Sequence, residues 1–505
     1  MSVRPTFYAF EIARSAIALN QKWLDVTGQN LANAETPGYS RQRVVQTAIG
    51  AGGMNWQFKL HPKANVGMGV SIDSIQRIRD QFLDRRVRTA NSNASAYFIK
   101  DDALSQIEEI FNPFVFQGLD GAIASFKKSL ENLAENADSL DFMALVRGSA
   151  DSLASLINNM SREITDVETD QAERLGLMVN AVNQIAVNLV NLDQEIKFQH
   201  VLGAHHVSNE LLDARDLLLD ELSGYGNIKV VEHANGGITV SLGDFVLVDA
   251  TSKTPNQVAL YKDAADPAGT YKFVNAADST IIDPADPDYD PSGANAAAID
   301  LYSGTVKGLL DLLNGFNLYN NGSPQHSDEK GIPFFKAMLD GFVATFATAF
   351  NDLNALGGGD PLFTGMTAKD FRVSQSWFDA VDTIKTMDPS SAGASANEIT
   401  RRMAAVFGDK LTFDKYGACS IDEYLSSIIT ELANKVQENQ KMLDYTSAQL
   451  LAIENQRDAV MAVSINEEGI NLAKFQQSYN AAARYMTALD EAVDTIVNRM
   501  GIVGR

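Results

Sequence analysis

Cysteine is almost absent from this chain of 505 residues, Cys419 being the single one. No disulfide can close within the chain, and a Cys-based metal site is excluded with it. Histidine is scarce as well, six in all. His205 and His206 are adjacent, which on a helix turns them about 100° apart. His200 lies off their face too, so no shared metal is expected. Long apolar runs are missing, and nothing approaches the roughly 20 residues of a membrane span. Met1 to Phe10 lacks the apolar core of a cleaved signal peptide, and Glu11, Arg14, Lys22 and Asp25 break up the next stretch with charge. Positive charge is short: 41 Lys and Arg against 64 Asp and Glu leave a net charge of −23. That balance excludes non-specific binding to nucleic acid or to an anionic membrane.

The motifs of catalysis are missing in the same way. Gly357-Gly358-Gly359 is not followed by the Lys-Ser/Thr that completes a P-loop. Val66-Gly67-Met68-Gly69-Val70 has no third Gly opening a helix, so it reads as a tight turn or hairpin and not as a dinucleotide site. Asp286, Asp288 and Asp290 alternate as in a calcium loop. Pro291 stands where the turn Gly belongs, however, and Ala297 where a bidentate Glu belongs, so a solvated Asp-Pro loop is expected. No nucleophile elbow or zincin helix is found. The expectation is a protein with no catalytic residue, cofactor or metal.

What is present is helical periodicity, most of all at the two ends. Leu472, Phe475, Tyr479, Ala482, Met486, Leu489, Val493, Ile496 and Met500 succeed one another in steps of three and four. This is the rhythm of a helix that buries a seam against a partner. A rod from Leu472 to Met500 is roughly 45 Å long. Ile12, Ala16, Leu19, Trp23 and Val26 repeat the spacing near the N-terminus and supply a candidate partner.

Between the ends, 45 % hydrophobic and 21 % charged residues describe folded protein of several domains. Helices are expected over about 80–111, 120–137 and 142–202, around a break at Asn112-Pro113. Leu153, Ile157, Met160, Ile164 and Val167, then Leu175 to Ile196, demand a bundle. Arg77, Arg79, Asp80, Asp84, Arg85, Arg86 and Arg88 form a mixed-charge cluster expected to be a solvated helix face. Ile228, Val230 and Val231 precede Asn235-Gly236-Gly237, and Ile238 to Val248 come after it as a hairpin. A helix over about 421–464 carries polar Asn439, Thr446 and Arg457 in its apolar seam; either register setting or a solvated edge accounts for them.

Asn30 to Tyr39, with Asn33, Thr36, Pro37, Gly38 and Tyr39, resembles the N-terminal signature of bacterial flagellar axial proteins, the rod, hook and hook-associated family. Ser40-Arg41-Gln42 and the segment Asn209 to Leu222 are similar to the hook-associated members that form the hook–filament junction. Asn471-Leu472, Phe475-Gln476-Gln477, Tyr479 and Ala481-Ala482 resemble the family's C-terminal signature. Near the N-terminus Phe7, Tyr8 and Phe10 depart from the family pattern, in which small residues are usual.

The resemblance implies a mainly α chain in which the N- and C-terminal regions pair as a long coiled coil and smaller β-rich modules are inserted. The divisions expected are 1–35 (axial helix), 36–79 (extended hairpin), 80–223 (helical), 224–302 (β-rich insertion), 303–356 (helical), 357–419 (second, loop-rich insertion), 420–466 (last helix) and 467–505 (axial helix). It implies self-assembly at the hook–filament junction, with the hook protein and the next hook-associated protein as neighbours. A cytoplasmic export chaperone on the C-terminal helix, and export to the cell exterior without a cleaved signal, are implied as well. Another axial protein, or a secreted coiled-coil binding module, remain the alternatives.

Overall fold

The computed structural model describes residues 8–49, 67, 69–111, 113–201, 207–262, 271–276, 298–315, 330–388, 396–413 and 417–499. Phe7, Val66, Met68, the Asp286–Pro291 loop, His205, His206 and Met500 lie outside them.

The spine is α4, Leu140–Val201, a single helix of 62 residues, about 93 Å long at 1.5 Å per residue. Its buried face runs through Met143, Val146, Ala150, Leu153, Ile157, Met160 and Ile164, then Leu175, Val179, Val182, Ile185 and Leu189. Along this face pack α3 (Pro113–Glu135), α2 (Gln81–Ile110), α5 (Asn209–Tyr225) and α6 (Thr305–Asn314). α3 starts earlier than expected because Pro113 suits the first helical position, where its missing N–H costs nothing. α10 (Ile421–Met461) lies along α2. Its start is fixed by a capping box in which Ser420 and Glu423 each take the other's backbone N–H.

α7 (Ile332–Leu356) brings an aromatic core. Phe346 and Phe350 lie 4.6 Å apart between ring centroids, and Phe126 of α3 sits 5.3 Å from Phe350. Phe363, Phe371 and Phe407 close the cluster edge-on, each within 6.4 Å of Phe346. Trp377, Ile399, Met403 and Phe413 from residues 357–419 join the same apolar cluster. By length and composition α4 and α7 would each suffice to cross a membrane, contrary to the sequence expectation that no run does. Their apolar residues are gathered on stripes that meet other helices: Phe334, Phe335, Phe342, Phe346 and Phe350 of α7 are all buried within the protein.

The β-rich region begins with a three-stranded antiparallel sheet of β3 (Ile228–Glu232), β4 (Ile238–Leu242) and β5 (Phe245–Val248). Ile228 faces Leu242 and Glu232 faces Ile238 across the expected turn. Ile238 to Val248 is two strands, since the chain reverses at residues 243–244 and Val240 pairs again with Val248. β6 (Val258–Lys262) and β7 (Tyr271–Asn275) form a second pair. Ile238, Val240, Leu242, Val258 and Phe273 enter the helical core.

α1 (Tyr8–Ala32) and α11 (Ile465–Asp494) pack against each other, with the antiparallel pair β1 (Gln42–Ala48) and β2 (Val70–Arg77) beside them. Together these four elements form a rod. The main apolar cluster, which runs from Ile99 to Leu432, contains no residue of the rod.

Candidate assembly interface

α1 and α11 run antiparallel: Asn30 meets Glu468 while Trp23 meets Phe475. The rings of Trp23 and Phe475 are stacked, 4.6 Å between centroids and 19° between planes. Of the seam residues, Val26 and Ala482 are buried, and Ile12, Ala16, Leu19, Trp23, Phe475, Tyr479, Met486, Leu489 and Val493 are half-buried. A pair of helices covers only one side of each such side chain. Two seam residues depart from the expectation. Leu472 is 38 % and Ile496 53 % exposed. At the level of Leu472 the inward places belong to Glu468 and Asn471. The antiparallel register carries Ile496 past Tyr8, so no turn of α1 faces it among the described residues.

The turn after α1 is held by its own polar groups. Thr36 N donates to Asn33 O, and Thr36 Oγ1 donates to Asn33 Oδ1 at 3.2 Å. Pro37 is exposed at the tip. Gly38 has φ +78, and a Cβ there would lie 3.3 Å from Leu217 of α5. Asn30, buried, is the pin: its Oδ1 accepts from Tyr39 OH and from Gln42 N, each at 2.9 Å, and its Nδ2 donates to Gln42 O. Burial, then Asp213, Glu210 and Glu468, push the Tyr39 phenol well above its ordinary range, so its proton stays in that bond. Arg41 Nε donates to Glu468 Oε1 at 2.9 Å and its Nη1 to Glu467 Oε2 at 2.8 Å, tying the turn to the first turn of α11.

Only part of the mixed-charge cluster is a solvated face: Asp80, Arg85 and Arg86 are exposed, whereas Arg77, Arg79, Asp84 and Arg88 are not. The side chains of Arg79, Asp84 and Arg88 are 8 %, 6 % and 9 % exposed. Asp84 pairs with Arg79, and the other partners of Arg79 and Arg88 come from α5, more than a hundred residues onward. Asp213, Asp216 and Asp220 stand on one helix face at steps of three and four. Arg77 Nη1 donates to Asp213 Oδ1 and to Asp216 Oδ2, each at 2.8 Å. Arg88 spans Asp216 at 3.1 Å and Asp220 at 2.7 Å, and Arg79 Nε donates to Asp84 at 2.8 Å. From the far side Arg457 of α10 donates to Asp220 Oδ2 at 2.6 Å. Burial pushes the Asp216 carboxyl up, yet Arg79, Arg77 and Arg88 outweigh it and hold the group below the ordinary range. A carboxyl stripe on α5 opposite an Arg-rich stretch was the signal available in the sequence. Proximity along the chain gave no hint of it.

Two of the three polar seam residues of α10 are buried and Arg457 is half-buried, which removes the solvated-edge reading for Asn439 and Thr446. Asn439 is 3 % and Thr446 4 % exposed. Asn439 Nδ2 donates to Tyr97 O at 3.1 Å and to Asp101 Oδ1 at 3.2 Å, so it satisfies a specific place on α2. Among the described residues no group of three His, Cys, Asp or Glu side chains is placed to hold a metal ion.

Comparison with known proteins bears on both the ends and the middle. Residues 104–371 match the family model of the flagellar hook-associated protein FlgK helical domain, and residues 10–39 match that of the flagella basal body rod protein. The chain is 30 % identical to flagellar hook-associated protein 1 of Bacillus subtilis, over 99 % of both chains. It is 23 % identical to the protein of that name from Escherichia coli, over 96 % of this chain and 98 % of that one. The solved flagellar hook junction protein FlgK of Burkholderia pseudomallei aligns with 55 % of this chain and 46 % of its own at 21 % identity, with a TM-score of 0.42. With a family model across more than half its length and a full-length relative at this identity, the chain belongs to the flagellar hook-associated protein 1 family.

Proposed function

We propose that the chain is a structural adaptor of the bacterial flagellum, assembling at the junction between hook and filament. The observation that carries this reading is the α1–α11 seam, most of whose apolar side chains remain half-covered by their own chain. Finishing the burial of each is worth on the order of 1 kcal/mol, and a neighbouring copy packed alongside would supply it. Sister copies in a ring are therefore the first partner, with hook protein and the next hook-associated protein above and below. The same seam on α11 suits a cytoplasmic chaperone before export, and delivery to the cell exterior would proceed without a cleaved signal. Its role is architectural and not enzymatic.

Electron microscopy of cells lacking the chain tests the reading. Hooks without filaments are expected. Missing hooks would move the chain to another axial position, and unaltered flagella would leave only a binding module. Replacing Leu489 and Val493 together by Asp should abolish junction formation while the purified variant keeps the melting behaviour of its middle. A junction built by that variant would mean that something else holds the copies together.

A further inference from the structure

The helices α2 and α10, packed side by side, carry two flanks of opposite charge. On one flank a shallow groove of about 350 Å³ is lined by Phe82, Arg85, Arg86 and Thr89 of α2 and by Gln449 and Ile453 of α10, among others. Phe82 is 57 % exposed, although the Arg86 guanidinium lies over its ring at 5.7 Å. Arg85 Nε donates to Gln81 O at 3.3 Å and Arg86 Nη1 to Gln456 Oε1 at 3.5 Å. Unlike Arg77, Arg79 and Arg88, neither has an ion pair among the described residues. The other flank belongs to α10. Asp444, Ser447, Leu451, Glu454 and Asp458 follow one another in steps of three and four and so share a face. At about 100° per residue, Leu451, Glu454 and Asp458 stand roughly 140–180° round the helix from Gln449, which borders the groove. Leu451 is 60 % exposed, and neither Glu454 nor Asp458 has an ion pair among the described residues. Ile453 packs on Val87 and Ala90, so groove and ridge lie at the same height along the pair.

We propose that the groove of one copy takes the α10 ridge of a second copy of this chain. Leu451 then covers Phe82 and Ile453, while Glu454 and Asp458 meet Arg85 and Arg86. Sister copies that each carry a net charge of −23 repel over most of their surfaces. Two unpaired arginines facing two unpaired carboxylates give one attractive place and fix which flanks meet. Groove against groove would set Arg85 and Arg86 against their own kind, so the contact is between unlike surfaces. Because those surfaces lie on opposite flanks, every copy that has made one contact still offers the other, and the packing repeats head to tail around a ring or helix. The contact rests on the reading of sister copies in a ring, and adds an interface in the helical body to the seam of the rod.

The test exchanges the charges in the full-length protein, expressed in cells that lack the parent chain. Arg85→Glu with Arg86→Glu, and separately Glu454→Arg with Asp458→Arg, should each cut the number of filaments per cell roughly tenfold, since like charges then face each other. The four changes together should restore about half of the parent number or more, because the pairs are re-formed with their signs reversed. A disulfide gives a second readout at two exposed sites. In a Cys419→Ala background, Thr89→Cys with Leu451→Cys should yield a ladder of cross-linked multimers when isolated flagella are oxidised, and either substitution alone should leave monomers. Pair variants that keep their filaments, a fourfold variant no better than either pair, or a double-cysteine protein that stays monomeric each overturn the contact. Cells lacking the chain altogether judge the junction reading separately: bare hooks there, with unaffected filaments in the pair variants, sink this contact alone.

Discussion

Replacing Trp23 by Ala isolates the pairing of the two chain ends. Trp23 is half-buried, and the rod shares no residue with the main apolar cluster, so the loss should stay local. About 100 Å² of ring surface uncovered at 25 cal/mol per Å² comes to about 2.5 kcal/mol. The stacking on Phe475 at 4.6 Å adds on the order of 0.5–1.5 kcal/mol, part of which relaxation around the gap returns. A net loss of about 3 kcal/mol in the α1–α11 pair corresponds to an increase on the order of a hundredfold in the amide exchange rate of α11. Hydrogen exchange read by mass spectrometry on the monomer resolves it, with α4 peptides as the internal reference. If α11 exchanges as slowly as before, the stacked pair does not hold the rod. If α4 accelerates equally, the ends are not energetically separate from the middle. Phe475→Ala should produce a similar effect, and the double variant little more than either single one.

Asp311 receives two ammonium groups, Lys100 Nζ at 2.6 Å and Lys307 Nζ at 2.7 Å, with the side chains of Lys100 and Asp311 each 9 % exposed, so Asp311→Ala should cost about 3–5 kcal/mol in thermal unfolding by removing the carboxylate that both share. Lys100→Met combined with Asp311→Leu should recover most of that. Gly304 has φ +99, and a Cβ there would lie 2.4 Å from Gly226 Cα and from Tyr225 O. Gly304→Ala should therefore destabilise the middle by roughly 2–4 kcal/mol in chemical denaturation, and an unchanged midpoint would refute the assigned conformation. Asp216 holds its proton less tightly folded than unfolded, its range depressed against burial by Arg79, Arg77 and Arg88. Its contribution is thus complete above the ordinary Asp value of about 3.9 and is lost as pH falls through the lower folded value. A melting series from pH 6 downward should lose less stability below about pH 4 in Asp216→Asn than in the parent.

The parts legible in the sequence were those where a period or a turn is written locally. The three-four rhythm from Phe475 to Val493 and from Ile12 to Val26 marked two amphipathic helices, and Asn235-Gly236-Gly237 marked a hairpin. Pairing of the ends came from the family resemblance and from the matching rhythm, not from any single residue. What stayed hidden depends on partners distant in sequence. Arg79 and Arg88 look like surface charges until α5 arrives beside them, because the spacing of Asp213, Asp216 and Asp220 marks a helix face without saying which arginines it meets. Asn439 could have been tolerated at a wet edge or been a satisfied core amide, and only the backbone of Tyr97 decides. Leu472 failed because periodicity counts apolar positions, whereas Glu468, fed by Arg41 and Asn30, outcompeted it for the inside place.

The uninterrupted 62 residues of α4 restrict how such a molecule can change length over evolution. Inserting one amino acid midway would rotate everything downstream by about 100° and point Leu175, Val182 and Leu189 away from their neighbours. Only additions near seven, eleven or eighteen residues, which return the face to its starting azimuth, would leave both halves seated. Size variation among relatives should accordingly accumulate in the connections around the sheets, while this helix keeps its length or changes it by whole repeats.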